Sequence, residues 1–326
     1  MFAFIIRRIG QAILVMLVIS FIGFAIKHTV GDPIRDLVGI SVSVAEREAL
    51  RTELGLNDPF LVQWGRFLKG AVQGDLGPSF IFKKPAMEVI IDRFPATMEL
   101  VLVSSILIIL VSIPVGVYAA YRPNSLFTRM SMGVSTLGVS VPVFLTAILL
   151  IYIFSVYLGW LPSYGRGPLS PFLGVGWQSG LTSWEGFTHL ILPSISLSSI
   201  MLPLFIRLIR AEMRETLETE YVKFARAKGL SEFRVVMVHA FKNTLLPVIT
   251  VGGVQLGTMI AFTVLTESVF NWPGMGTLFI QAIDRADTSL LVAYIITVGA
   301  LFVTVNTIVD IIYGFINPMV RITGRK

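Results

Sequence analysis

Residues 9–26 read IGQAILVMLVISFIGFAI, an uncharged run placed directly after Arg7 and Arg8. A helix over this run comes close to the about 20 apolar residues needed to cross about 30 Å of hydrocarbon. Cleaved signal peptides share the charged-then-apolar order, but no small-x-small site follows here, so the segment is expected to stay as a first membrane helix. Comparable apolar runs recur at 100–121, 130–158, 189–210, 244–266 and 289–315. With only 14% of its 326 residues charged, against about 25% in an ordinary soluble domain, the chain reads as a membrane protein.

Between these runs the polar residues fix a topology. A basic turn at Arg122 and Arg129 joins the second and third spans, and short basic loops stay inside. Counting every Lys and Arg on this scheme places 15 inside, nine in the long loop 27–98 and one in each remaining outer loop. The expected fold is an all-α membrane protein of six transmembrane helices with both termini cytoplasmic. A large external loop (27–98) joins spans one and two, and a cytoplasmic loop (211–245) joins spans four and five, all in one domain over 1–326. Phe60, Val62, Trp64, Phe67 and Leu68 give the external loop apolar surface to bury, which predicts ordered structure. The excess of 26 basic over 20 acidic residues follows from topology and does not indicate nucleic acid. Without cysteine there are no disulfides, thiolate nucleophiles or zinc–thiolate sites, and His28, His189 and His239 lie on separate segments. No metal site and no catalytic constellation is expected.

The segment 220–247 is the one long charge-dense stretch on the inner side. Met213, Leu217, Tyr221 and Phe224 recur at helical spacing and predict a single apolar stripe on one helix over 212–228. Gly229 suits the left-handed residue after a helix, and Ser231 suits the cap of a second short helix carrying Phe233 and Val236. A lipid-surface helix would explain the cations, but Glu212, Glu215, Glu218, Glu220 and Glu232 argue for docking on a protein. The docking set expected is Glu220, Tyr221, Phe224, Ala225, Ala227, Lys228, Gly229, Leu230, Phe233 and Val236.

Within the spans, Glu267 sits near the outer end of the fifth and Asp310 near the inner end of the sixth, with Asn306 one turn earlier on the same face. Structural or gating roles are expected for these ahead of substrate contact. Ser135, Ser140, Gln255 and Thr258 are the first polar candidates for a transport pathway. Small residues and prolines in the spans favour close packing, and Gly252 and Gly253 are the preferred hinge candidates. No GxxxxGK[ST] occurs, so the chain has no phosphate cradle of that kind. A stand-alone secondary transporter or channel would predict an internal repeat and buried ion-coupling carboxylates, and neither pattern is evident.

AKG at 227–229 followed by LP at 246–247 resembles the cytoplasmic loop signature of ATP-binding-cassette import permeases. GDP (31–33), ELGLNDP (53–59), GDLG (74–77), RFPATMEL (93–100), LGWLPSYGRG (158–167), HLILP (189–193), YVKFARAKGL (221–230), TESVFNWPGMG (266–276) and YGFINP (313–318) extend the likeness. The chain so resembles the B-type subunit of the dipeptide, oligopeptide and nickel permease family. That resemblance implies a C-type sister permease, two cytoplasmic ATPases that hold ATP and magnesium, and an extracytoplasmic solute-binding protein. It also implies a multi-pass protein of a bacterial inner membrane carrying short peptides or, alternatively, nickel chelates, opines, glutathione or other small solutes. No cofactor is expected on this chain.

Overall fold

A computed structural model describes residues 2–30, 44–53, 56–172 and 177–316. The chain opens with α1 (Phe2–Val30), followed by two short helices, α2 (Val44–Glu53) and α3 (Phe60–Val72). A small hairpin of β1 (Pro78–Ser79) and β2 (Lys84–Pro85) leads into α4 (Ala86–Tyr121). Next come α5 (Leu126–Ser140) and α6 (Val143–Leu150), the latter continuing as a π-helical stretch over Ile151–Tyr157. A second hairpin, β3 (Ser170–Phe172) with β4 (Trp177–Ser179), precedes α7 (Trp184–Leu217). Two short helices, α8 (Glu220–Ala227) and α9 (Glu232–Arg234), then lead through a π-helical stretch, Val235–Ala240, into α10 (Phe241–Val269). The described chain ends with α11 (Met275–Asp284) and α12 (Thr288–Ile316). The GDP motif at 31–33 and the basic tail residues Arg321, Arg325 and Lys326 lie outside the described residues.

Among the described residues five helical segments are long and apolar enough to cross a membrane, and six if the bent pair α5–α6 forms one span. The sequence predicts an uninterrupted helix over 130–158, whereas the structure bends it by 111° at Ser140–Pro142. Pro142 pushes the preceding Val141 out of helical conformation (φ −91°, ψ 122°) and itself opens α6. Pro95, Pro114, Pro193, Pro203 and Pro247 remain inside unbroken helices, as packing partners in a membrane allow.

The second span begins earlier than its apolar run. Helix α4 starts at Ala86, so the last part of the stretch expected as external loop is helical. The rest of that stretch is ordered as predicted where it is described: Phe60 and Trp64 meet Phe21 edge-on, each with ring centroids 5.4 Å apart, and Phe67 packs on Phe24. Val62 is the exception and stays exposed, on the face of α3 turned away from α1.

Helices α4 and α7 form the most extensive helix–helix contact, flanked by α10, α5 and α6. Among the described residues three of the four buried clusters succeed one another along α4, and the fourth, Ala147, Leu192 and Phe270, joins α6 to α7 and the end of α10. Leu76, Ile90, Met275 and Leu290 occupy one end, Leu100, Leu197, Met259 and Trp272 the middle, and Val117, Ile209, Met213 and Val235 the other end. Helix α10 runs unbroken through Gly252 and Gly253, the proposed hinge. A Cβ at Gly253 would overlap Val309 of α12, so this glycine permits a close helix crossing.

Candidate functional site: the short-helix unit and three buried carboxylates

The chain leaves α7 at Leu217 and re-enters helix at Glu220, with Thr219 extended (φ −69°, ψ 151°) at the start of α8. The predicted single stripe is therefore corrected. Met213 is fully buried beneath the unit, while Tyr221 and Phe224 belong to a separate helix and face outward. Spacing alone cannot register the break, because Glu218 and Thr219 keep the helical period in sequence while the extended Thr219 turns the chain.

Helix α8 ends in a Schellman motif. Gly229 takes φ +76°, its N–H bonds Arg226 O at 2.9 Å, and Leu230 N–H reaches back to Ala225 O at 3.4 Å. The predicted left-handed role of Gly229 is met. Ser231 precedes α9 in extended conformation, but its side chain makes no capping hydrogen bond. Val222, Ala225, Val235, Val236 and Ala240 turn inward onto Val117, Ala120, Ile209 and Met213. Of the expected docking set, then, Ala225 and Val236 are used to seat the unit on α4 and α7. Exposed outward are Tyr221 (42%), Phe224 (60%) and Phe233 (77%), with Ala227, Lys228 and Gly229 alongside and Leu230 half-buried.

The unit is stiffened at its edges. Lys223 pairs with Glu220 at 2.8 Å, Arg226 with Glu232 at 3.0 Å, and Lys228 Nζ sits 4.6 Å from the centre of the Phe224 ring. Asn243 Nδ2 donates to Tyr221 Oη at 2.6 Å, tying α8 to the first turn of α10. An apolar cavity of about 430 Å³ opens between Phe233, Val236 and Met237 on one side and Pro114, Tyr118 and Tyr121 of α4 on the other. The whole arrangement is a compact unit, packed on two long helices, that presents three exposed aromatic rings.

The opposite end of the bundle is organised by carboxylates. Glu267 is completely buried: Thr97 Oγ1 donates to it at 2.6 Å, Gly276 N–H at 2.7 Å and Thr277 N–H at 3.1 Å. Thr97 Oγ1 in turn accepts from Met275 N–H at 2.8 Å, and Trp272 Nε1 donates to Ala96 O at 2.9 Å. Glu267 thus clasps α4, α10 and α11 together.

Sequence reading missed Glu99, Arg166 and Asp287. Glu99 accepts from Arg166 Nε at 2.7 Å, from Gly180 N–H at 2.9 Å and from Ser179 Oγ. Asp287 accepts from Ser79 Oγ at 2.6 Å and Ile81 N–H at 3.2 Å, joining the first hairpin to the start of α12. One signal was present, since Glu99 is the only charge between Arg93 and Arg122.

The remaining candidates are dispersed. Asp310 pairs with Arg8 of α1 at 3.1 Å, and Asn306 donates to the backbone of Phe302. Ser135 is buried on α5 and Ser140 exposed at the bend, whereas Gln255 and Thr258 are half-buried on α10. Helix α5 packs on α7, and α10 on α4, α6, α7, α11 and α12. Ser140 and Thr258 bond carbonyls of their own helices. His189 Nδ1 lies 3.0 Å from Tyr164 O, the packing role expected of a lone histidine.

Residues 112–322 match the family described as binding-protein-dependent transport system inner membrane component, and residues 1–101 match its N-terminal part. The chain belongs to this family. It is 37% identical over 336 residues to the dipeptide transport system permease protein DppB of Escherichia coli strain K12, covering 98% of this chain and 99% of that one. The DppB protein of Alkalihalophilus pseudofirmus is 35% identical over 335 residues, with 98% and 100% covered. Among solved structures, an inward-facing MetNI methionine ABC transporter chain aligns with a TM-score of 0.56 at 16% identity. It covers 72% of this chain and 98% of that one, and supports the fold alone.

Proposed function

We propose that this chain is the B-type permease subunit of an ATP-binding-cassette importer for short peptides in a bacterial inner membrane. The observation that carries the reading is the short-helix unit: a capped, ion-paired block seated on α4 and α7 that offers Tyr221, Phe224 and Phe233 to a protein partner. On this reading both termini and the unit are cytoplasmic, and the hairpin end with its carboxylates is external, as the distribution of 15 inner cations favours. The partners are a C-type sister permease, two cytoplasmic ATPases that bind ATP and magnesium, and an external solute-binding protein. Membrane lipid surrounds the assembly. Peptide cargo is favoured by the names of the DppB relatives. Work done at the ATPases enters as movement of the unit, and the unit transmits it to α7 and α10.

Reconstitution with the sister permease, ATPases and binding protein tests this directly. Dipeptide uptake that stops when the ATPase subunits are catalytically dead is the expected result, and uptake that persists would sink the reading. Competition by a nickel chelate, an opine or glutathione in place of peptide would reassign the cargo.

Gly229 gives a sharper test. No atom lies within 4 Å of its added Cβ, so a side chain there meets only backbone strain from φ +76°. Gly229→Val should therefore cost about 1–2 kcal/mol at the turn, leave membrane abundance near wild type and lower uptake per permease severalfold. Wild-type uptake in Gly229→Val membranes would show that the turn does not transmit motion.

A further inference from the structure

The cavity beside the short-helix unit is floored by one face of α4, where Pro114, Val117, Tyr118 and Tyr121 recur at helical spacing, and walled on the other side by Phe233 and Met237. The uncharged run 100–121 is about 33 Å long at about 1.5 Å per residue, close to the thickness of the hydrocarbon layer. Its last two turns, and the cavity with them, therefore lie at the edge of the bilayer. From Tyr118 the apolar surface continues onto Phe127 of α5, edge-on with ring centroids 5.2 Å apart, and onto Leu126 and Met130. All three of these α5 side chains are more than half exposed.

A cation stands beside this opening. The Arg122 guanidinium lies 5.6 Å from the centre of the Tyr121 ring, and Arg122 makes no ion pair among the described residues. Glu232, the carboxylate that lines the cavity, is already matched by Arg226 at 3.0 Å. The lining side chains offer hydrogen-bonding groups only at Glu232 and the two tyrosine hydroxyls. An extended protein segment laid here would leave backbone N–H and C=O groups unpaired, a cost that an acyl chain does not incur. At about 30 Å³ for each water-sized group, the 430 Å³ of the cavity holds on the order of a dozen such groups, enough for much of an acyl chain.

We propose that this cavity is a site for an anionic phospholipid, with one acyl chain lying between α4 and the short-helix unit and the phosphate meeting Arg122. Tyr118 and Tyr121 then stand at the level of the headgroups, where amphipathic rings are favoured. A basic residue beside a gap between membrane helices is a feature by which single anionic lipids are held. The inference goes beyond the permease reading and needs only that α4 crosses the bilayer. Tyr221 and Phe224 do not line the cavity, so a lipid there leaves both rings free for protein contact.

The test places the purified complex in nanodiscs of dioleoylphosphatidylcholine containing a trace of phosphatidylglycerol with a photoreactive acyl chain, and maps the crosslinked residues. Labelling is expected at Tyr118, Phe233 and Met237. It should exceed that from photoreactive phosphatidylcholine about fivefold, the weight of one cation near the membrane surface. Arg122→Gln should abolish this preference between the two lipids. Met237→Trp, which fills the cavity, should lower labelling of Tyr118 and Phe233 by both lipids severalfold; if that variant fails to assemble, the exposed Arg122→Gln decides. Absence of labelling at the three residues, as a protein subunit covering the cavity would produce, overturns the proposal. Equal labelling by the two lipids, or a preference that survives Arg122→Gln, overturns it as well.

Discussion

Glu267→Ala is expected to destabilise the folded protein by about 3–5 kcal/mol, because it strands two buried donors and one half-buried donor at once. Thr97 Oγ1, Gly276 N–H and Thr277 N–H all point at this carboxylate, and apolar packing from Trp272, Met275 and Leu278 surrounds the clasp. An unsatisfied buried donor costs about 1–3 kcal/mol, and the alanine cavity provides no acceptor in exchange. The loss should appear as an unfolding midpoint in detergent lowered by on the order of 10 °C and as reduced membrane abundance. Glu267→Gln keeps an acceptor oxygen of the same shape and should fall between the two. An alanine variant melting with wild type would show that the clasp contributes little.

Phe224→Asp and Phe233→Asp are expected to release the ATPase while leaving the permease folded. Both rings are more than half exposed, so their loss removes little internal packing. An aromatic anchor at the centre of an interface is worth about 2 kcal/mol or more, and a carboxylate in its place adds desolvation, so affinity should drop at least about thirtyfold. Co-purification of ATPase with tagged permease measures this, with the unfolding midpoint as control. Wild-type stoichiometry in both variants would remove these rings from the docking face. Val236→Asp would not serve, because Val236 is buried against α4 and its substitution would unseat the unit itself.

Much of the fold was legible because a bilayer imposes a one-dimensional rule. A run such as 9–26 must be helical to satisfy its backbone in lipid, whatever it packs against. Gly229 was legible for a similar local reason, since a left-handed residue at a helix end favours glycine. The break of the third span at Pro142 was not foreseen, although its local cause, the constraint that proline places on Val141, stands in the sequence.

Other features depend on residues that meet only after folding. Glu99 pairs with Arg166 across 67 residues, Thr97 with Glu267 across 170, and Ser79 with Asp287 across 208. No local period records such a pairing, and a lone carboxylate in an apolar helix gives its unusual position without its partner. Gly253 shows the same limit: the sequence gives a small residue on α10, and only Val309 across the helix crossing shows why it is small. The sequence by itself determined the helices, the basic side of the bundle and the turn at Gly229, because membrane crossing and backbone conformation are local demands. Only the tertiary structure decided which carboxylates clasp which elements and which rings of the short-helix unit face outward, because burial and hydrogen-bond partnership belong to the packed assembly of helices.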